Sequence, residues 1–138
     1  MKALIDTNVV LDAIAAREPF YKDAQKVLNL ILDNKLVGYI TASSVTDIYY
    51  IARKYLHQTV LQNTMRYLFR LFVVIDVLGE DCLAALDFFI DDYEDALITI
   101  CGNKVEVDYI ITRDADFLGN VKTTPVITPA DFLARQKK

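Results

Sequence analysis

An α/β fold, with a parallel sheet covered by helices on both faces, is what this sequence predicts, and three observations carry the prediction. Short apolar, β-rich runs recur at residues 3–5, 37–41, 72–77, 109–112 and 126–127. Between them, apolar residues return every three or four positions, the period of an amphipathic helix. The first run, Ala3-Leu4-Ile5, stops abruptly at Asp6-Thr7-Asn8, which suits a buried strand turning into a helix. Strands alternating with helices imply a parallel sheet.

The bulk properties bound the answer. A chain of 138 residues reads as one domain, residues 1–138. Of these, 54% are apolar and 25% charged, a balance that argues against disorder. No apolar run approaches the ~18 residues of a membrane span, and the start lacks a signal-peptide pattern. Cys82 and Cys101 lie in apolar helical contexts without metal-ligand spacing, and read as reduced core thiols of a cytoplasmic protein. The net charge of −4 argues against general coating of duplex nucleic acid, while leaving local contacts open.

In order, the first strand is followed by a short helix over residues 9–16, broken near Glu18-Pro19. Residues 20–34 form an amphipathic helix, with Ala24, Val27, Leu28, Ile31 and Leu32 on one period. The second strand is 37–41. Ala42-Ser43-Ser44 opens a long helix with Val45, Ile48, Tyr49, Ala52 and Leu56 as its stripe, and Gln58-Thr59 breaks it before another helix through Phe69. The third strand is 72–77, with a helix from Gly79 through Phe89 behind it. Asp91-Asp92 caps a helix from about Tyr93 to Asn103, with Gly102-Asn103 as its stop. Strand four, 109–112, ends in the acidic corner Arg113-Asp114-Ala115-Asp116. A short fifth strand and a helix opened by Thr128-Pro129 finish the chain, with a frayed tail at 135–138.

Four carboxylates fall at element junctions. Asp6 ends strand one and Asp114 ends strand four. Asp47 and Asp95 lie early in helices. In a parallel α/β sheet, strand carboxyl ends and the starts of the following helices share one rim, so Asp6, Asp47 and Asp114 point to the same edge. Gathered carboxylates raise one another's pKa or recruit a cation, and an all-oxygen acidic site suits Mg²⁺ or Mn²⁺. Such ions activate water and stabilise the leaving oxygen of a phosphodiester. A single histidine, His57, and no Cys/His cluster argue against zinc. No P-loop or GxGxxG is present. Each residue also has a plainer role. Asp47 stands three after Ser44 in a capping-box pattern, and Asp95 three after Asp92 at a helix start. Asp6, Asp114 and Asp116 suit ordinary turns.

Three blocks together resemble the PIN-domain family: Leu4-Ile5-Asp6-Thr7-Asn8-Val9-Val10-Leu11-Asp12, Tyr93-Glu94-Asp95-Ala96-Leu97, and Tyr109-Ile110-Ile111-Thr112-Arg113-Asp114-Ala115-Asp116-Phe117. They occur in the family's order and span nearly the whole chain. The resemblance implies a three-layer α/β/α sandwich with a central parallel sheet, and an acidic pocket holding Mg²⁺ or Mn²⁺ that hydrolyses RNA. Many small members resemble VapC-type toxins of toxin–antitoxin pairs, so it also implies an antitoxin partner. By position, Asp6, Asp95 and Asp114 match family carboxylates, with Asp116 an additional metal candidate. Asp47 falls where the family commonly has glutamate, one methylene longer, which leaves direct metal contact by Asp47 open. Thr7 and Asn8 look like orienting groups.

Arg113 is the basic residue best placed to hold a phosphate, with Arg17, Lys22, Arg53 and Lys54 behind it. Tyr49, Tyr50, Tyr67, Leu68, Phe69 and Phe72 are either core or a surface for a homodimer or antitoxin. Two other enzyme classes fit less well. A haloacid-dehalogenase-like phosphatase expects a second aspartate where Asn8 stands. A receiver domain expects paired acids and a regular five-unit repeat, which the helix-rich stretch 42–69 breaks. A catalytically weak or inactive PIN-like module that binds RNA or protein is the non-enzymatic alternative.

Overall fold

The computed structural model describes residues 1–118 and 123–137. Strands β1 (Lys2–Ile5), β2 (Val37–Thr41), β3 (Val73–Ile75), β4 (Tyr109–Ile111) and β5 (Val126–Ile127) form one parallel sheet in the order β3-β2-β1-β4-β5. The helices are α1 (Thr7–Ile14), α2 (Tyr21–Leu32), α3 (Ala42–Ala52), α4 (Gln58–Leu71), α5 (Gly79–Leu86), α6 (Tyr93–Lys104), α7 (Ala115–Leu118) and α8 (Pro129–Gln136).

The alternation of side chains along each strand builds the two outer layers. On β1, Ala3 and Ile5 join a core with Val27 and Ile31 of α2, Ile48 of α3, Leu61 and Leu68 of α4, and Phe132 of α8. Leu4 points the other way, into a second core with Ala96, Leu97, Ile98 and Cys101 of α6 and Phe117 of α7. Because both faces are covered, the strands read as continuous apolar runs instead of alternating ones. Leu4, Ile5, Ile40, Ile110 and Ile111 are at most 1% exposed. Each such side chain contributes about 1.5–3 kcal/mol by leaving water.

The chain lays down β1, β2 and β3 outward in one direction, then returns to place β4 on the other side of β1. The reversal lies between β1 and β4. Clefts at such a reversal, outside the strand carboxyl ends, are where open α/β sheets hold ligands. The register Ile5↔Ile111 sets Asp6 beside Thr112 at that point.

Several expectations change. Gly102 does not stop α6; it lies inside the helix, where an added Cβ would come within 3.1 Å of Val107 and 3.5 Å of Leu4. The glycine serves close approach of α6 to the sheet. The helix ends at Lys104, just before Glu106 takes a positive φ of 56°. The short α7 is absent from the sequence reading, which took this corner as a loop. Helix α5 stops at Leu86, and the chain beyond it buries Ile90 in the second core. Of the tail expected to fray, residues through Gln136 belong to α8, and Lys138 lies outside the described residues. The aromatic-rich middle divides: Leu68 and Phe72 are core, whereas Tyr50, Tyr67 and Phe69 are exposed. Both cysteines are free; Cys101 is buried and Cys82 only half-buried. Among the described residues, no helix is long and apolar enough to cross a membrane.

Candidate active site

Asp6 is held by the sheet and by the helix it starts. Its backbone N–H donates to the Ile111 carbonyl at 2.9 Å, continuing the β1–β4 ladder by one residue. Its own backbone is extended, and its Oδ1 accepts from the Thr7 N–H at 2.8 Å, capping α1. Oδ2 accepts from the Thr112 hydroxyl at 2.8 Å and, more loosely, from the Asn8 amide at 3.4 Å. The same Asn8 amide reaches the Thr112 hydroxyl at 3.3 Å, and Asn8 Oδ1 accepts from the Arg113 N–H at 3.4 Å. The Thr112 hydroxyl also accepts from the Asp114 N–H at 3.1 Å. Asp6 and the strand-four corner are thus one hydrogen-bonded unit.

Asp95 enters from the opposite layer. Asp92 is the N-cap of α6, and its carboxylate accepts from the Asp95 N–H at 3.0 Å. This confirms the expected cap and sets Asp95 in the first turn, 6% exposed. Asp6, Asp95 and Asp114 line one open cavity of about 580 Å³ with Asp47, Asp92 and Glu94. Leu11 and Ile51 add an apolar wall, and Arg17 and Arg113 the positive charge.

Desolvation and like charge govern the protonation of this rim. Burial raises the Asp6 carboxyl above its ordinary value, against the lowering effect of Thr112 and Thr7; Asp114 and Asp92 raise it further. Asp95 is pushed up to about 7, first by desolvation and then by Asp92, Asp6, Asp114 and Glu94. Partial desolvation, followed by Asp47, Asp6 and Asp92, also raises Glu94. Of these carboxyls, Asp95 changes its proton content near neutrality.

The arginines on the rim are anchored from below. Asp12, on α1, is 1% exposed and accepts from Arg17 Nε at 2.8 Å. It also binds Arg113 as a fork, Nε at 2.6 Å and Nη2 at 3.1 Å. The Arg113 guanidinium lies over the Phe20 ring, 4.1 Å from its centroid. Arg113 therefore lines the cavity with one edge committed to Asp12.

The donor set is all oxygen and mostly anionic, which fits a hard divalent cation such as Mg²⁺ or Mn²⁺. The Thr7 hydroxyl, in the same cavity, is buried without a hydrogen-bond partner. Among the described residues, no three Asp, Glu, His or Cys side chains already converge as a cation cage. The carboxylates instead stand around the rim of the cavity.

The family model for the PIN domain matches residues 2–116. The chain belongs to the PIN-domain family. No curated protein sequence matches it. Solved structures share the PIN fold across nearly their whole length. The toxin–antitoxin complex from Klebsiella pneumoniae is similar at a TM-score of 0.68 and 22% identity, covering 92% of this chain and 97% of that one. VapC20 from Mycobacterium tuberculosis, a Sarcin-Ricin loop cleaving toxin, is similar at 0.67 and 16%, covering 89% and 99%. VapBC2 from Rickettsia felis, bound to a DNA fragment from its promoter, is similar at 0.66 and 14%, covering 93% and 98%.

Within this PIN domain, Asp6, Asp47, Asp95, Asp114, Thr7, Asn8 and Arg113 come together, and Asp116 does not: it is exposed on α7, outside the cavity lining. The Asp116 N–H instead donates to Asp114 Oδ1 at 3.0 Å. Asp47 caps nothing. Thr41 is the N-cap of α3, its hydroxyl accepting from the Ser44 N–H, so Asp47 sits in the second turn and is exposed. Sequence reading overlooked Glu94, Asp92 and Thr112 as site neighbours; of the secondary phosphate candidates Arg17, Lys22, Arg53 and Lys54, Arg17 lines the cavity. For Glu94 the signal was present, a glutamate beside Asp95 in a PIN domain whose expected glutamate is replaced at position 47.

Proposed function

We propose that this PIN domain is a divalent-metal-dependent endoribonuclease, and that it acts as the toxin of a toxin–antitoxin pair. The observation that carries the reading is the convergence of Asp6, Asp95 and Asp114, from three separate elements, on one cavity at the switch point of the sheet, with Asp95 raised to about 7. Asp6, Asp95 and Asp114 would hold the cation, Mg²⁺ or Mn²⁺, with Asp116 left out of the set. Bound there, the cation supplies positive charge for the oxyanion that develops at phosphorus and lowers the pKa of water.

The protein's own residues do the rest. Thr112, Asn8 and the Thr7 N–H fix both oxygens of Asp6, so the ligand does not reorganise during reaction. Asp95, pushed up to about 7 in the metal-free protein by burial and by its acidic neighbours, is the carboxylate whose ionisation a bound cation would favour most. Arg113 and Arg17, immobilised by Asp12, offer their remaining donors to the substrate phosphate. Glu94 stands in for the family glutamate that Asp47 replaces. Substrate is RNA with an exposed backbone, in single strands or loops.

One similar structure is a toxin–antitoxin complex and another a toxin that cleaves the Sarcin-Ricin loop, which supports an antitoxin partner and toxin role for this chain. The exposed Tyr50, Tyr67 and Phe69 supply surface for that partner or for a homodimer.

The test is RNA cleavage by protein free of host nuclease, with Mg²⁺ or Mn²⁺ and with chelator. Wild type cuts only with metal, and Asp6→Asn and Asp95→Asn lose at least about 100-fold, the usual scale for removing one electrostatic catalytic group. Folded variants that cut as fast as wild type overturn the site. The absence of any cleavage by wild type, with RNA binding retained, favours a binding module.

A further inference from the structure

Beside the acidic cavity lies a second one, of about 290 Å³, and the two share Arg113. Its walls come from two segments. Pro19, Phe20 and Asp23 belong to the entry of α2; Thr128 and Pro129 belong to the entry of α8. It is predominantly apolar, in contrast to the carboxylate rim next door. Phe20 is 42% exposed, an unusual state for a phenylalanine that no other buried cluster claims. Its ring is held against a guanidinium that Asp12 keeps from rotating away.

We propose that this cavity is a nucleobase subsite, which receives a base flanking the phosphate bound in the acidic cavity. The inference rests on the nuclease reading given above. Four features select a base over other occupants. An aromatic ring with a guanidinium on one side is the surface on which bases of single-stranded nucleic acid stack. The one acidic side chain in the lining, Asp23, is acceptor-only; it repels a second phosphate and matches the N–H donors on a base edge. The volume admits one planar ring system and excludes an amphipathic helix. Finally, Arg113 joins the two cavities, so a nucleotide with its phosphate on one side of the guanidinium has its base delivered to the other. Asp12 is then a positioning residue for both halves of the nucleotide.

Cleavage alone would entangle this subsite with the catalytic reading, so the primary readout is binding. Metal-free wild-type protein is titrated with nucleoside 5′-monophosphates and with ribose 5-phosphate, following backbone amide resonances. The base-bearing ligands are expected to shift the amides of Phe20, Asp23 and Ala130, and ribose 5-phosphate to leave them in place. Phe20→Leu, which keeps an apolar side chain on a half-exposed site, abolishes the shifts; Phe20→Tyr retains them. On a single-stranded RNA that wild type cuts, Phe20→Leu lowers kcat/KM by about 5- to 150-fold, the range of a lost base–aromatic stack. Phe20→Tyr stays within about threefold. Equal shifts with ribose 5-phosphate, or shifts unchanged in Phe20→Leu, overturn the subsite. So does a Phe20→Leu protein with wild-type affinity for nucleotides that has lost only binding of a protein partner. Asp6→Asn protein that cuts as fast as wild type while these shifts persist overturns the catalytic site and leaves the base subsite standing.

Discussion

Replacing Asp95 by asparagine should stabilise the metal-free protein at alkaline pH while destroying its proposed activity. The carboxyl, 6% exposed and surrounded by Asp92, Asp6, Asp114 and Glu94, titrates at about 7 where an ordinary aspartate titrates at 3.8. Between those values the folded state keeps a proton that the unfolded chain releases. Stability therefore falls as pH rises from about 4 to about 7, and stays low above that window. At ~1.36 kcal/mol for each tenfold in proton affinity, the ionised form carries a penalty of roughly 4 kcal/mol above pH 8. Asparagine removes the charge and must satisfy its amide in the same place, so about half of that, ~2 kcal/mol, is the expected net gain. In a domain of this size it corresponds to a rise in Tm of about 5–8 °C. The assay is thermal and urea unfolding of both proteins in chelator at pH 5, 6.5 and 8. The advantage of Asp95→Asn should shrink by more than half at pH 5, and added Mg²⁺ or Mn²⁺ should stabilise wild type more than the variant. A variant no more stable than wild type at pH 8, or one with the same advantage at pH 5, refutes the electrostatic reasoning.

Two further predictions follow from the same cavity. Asp12→Ala leaves two guanidinium groups without their shared partner; because their side chains are 22% and 31% exposed and can rehydrate, the loss is about 3 kcal/mol, the low end for a broken buried pair. Urea unfolding reads it directly, and a loss under about 1 kcal/mol would mean that the fork contributes little. Glu94→Gln should reduce RNA cleavage by about 100-fold or more, and Asp47→Asn by about tenfold or less, since Glu94 faces Asp47, Asp6 and Asp92 together. The reverse order would return the role of the second carboxylate to Asp47.

Strands and helices were legible because their signals are local. The apolar runs at β2 and β5 have the expected bounds, and the stop at Asp6 marks the end of β1 as read. What the sequence conceals is set by partners distant in the chain. Asp12 is an unremarked helix residue until Arg113, 101 positions later, closes on it. Gly102 reads as a helix stop because glycine commonly is one. The reason it stays helical, the nearness of Leu4 and Val107, exists only after α6 docks on the sheet. Glu94 beside Asp95 resembles ordinary acidic enrichment of a first helical turn, and only the cavity separates the two meanings. The capping-box spacing of Ser44 and Asp47 has no counterpart in the structure because Thr41, one residue before α3, holds the cap.

The placement of β1 at the centre of the sheet also sets when the site can exist. Asp6 is made 106 residues before the Thr112 hydroxyl that orients it. At ~5–20 residues per second, roughly 5–20 s of synthesis separate the carboxylate from its partner. During that interval β1 can pair with β2 on one edge only, and its other edge waits for β4. The acidic cavity therefore closes only when synthesis has passed β4. Over that interval a nascent chain carries the first carboxylate without the rest of the constellation, so the proposed nuclease would stay unassembled until β4 has been made.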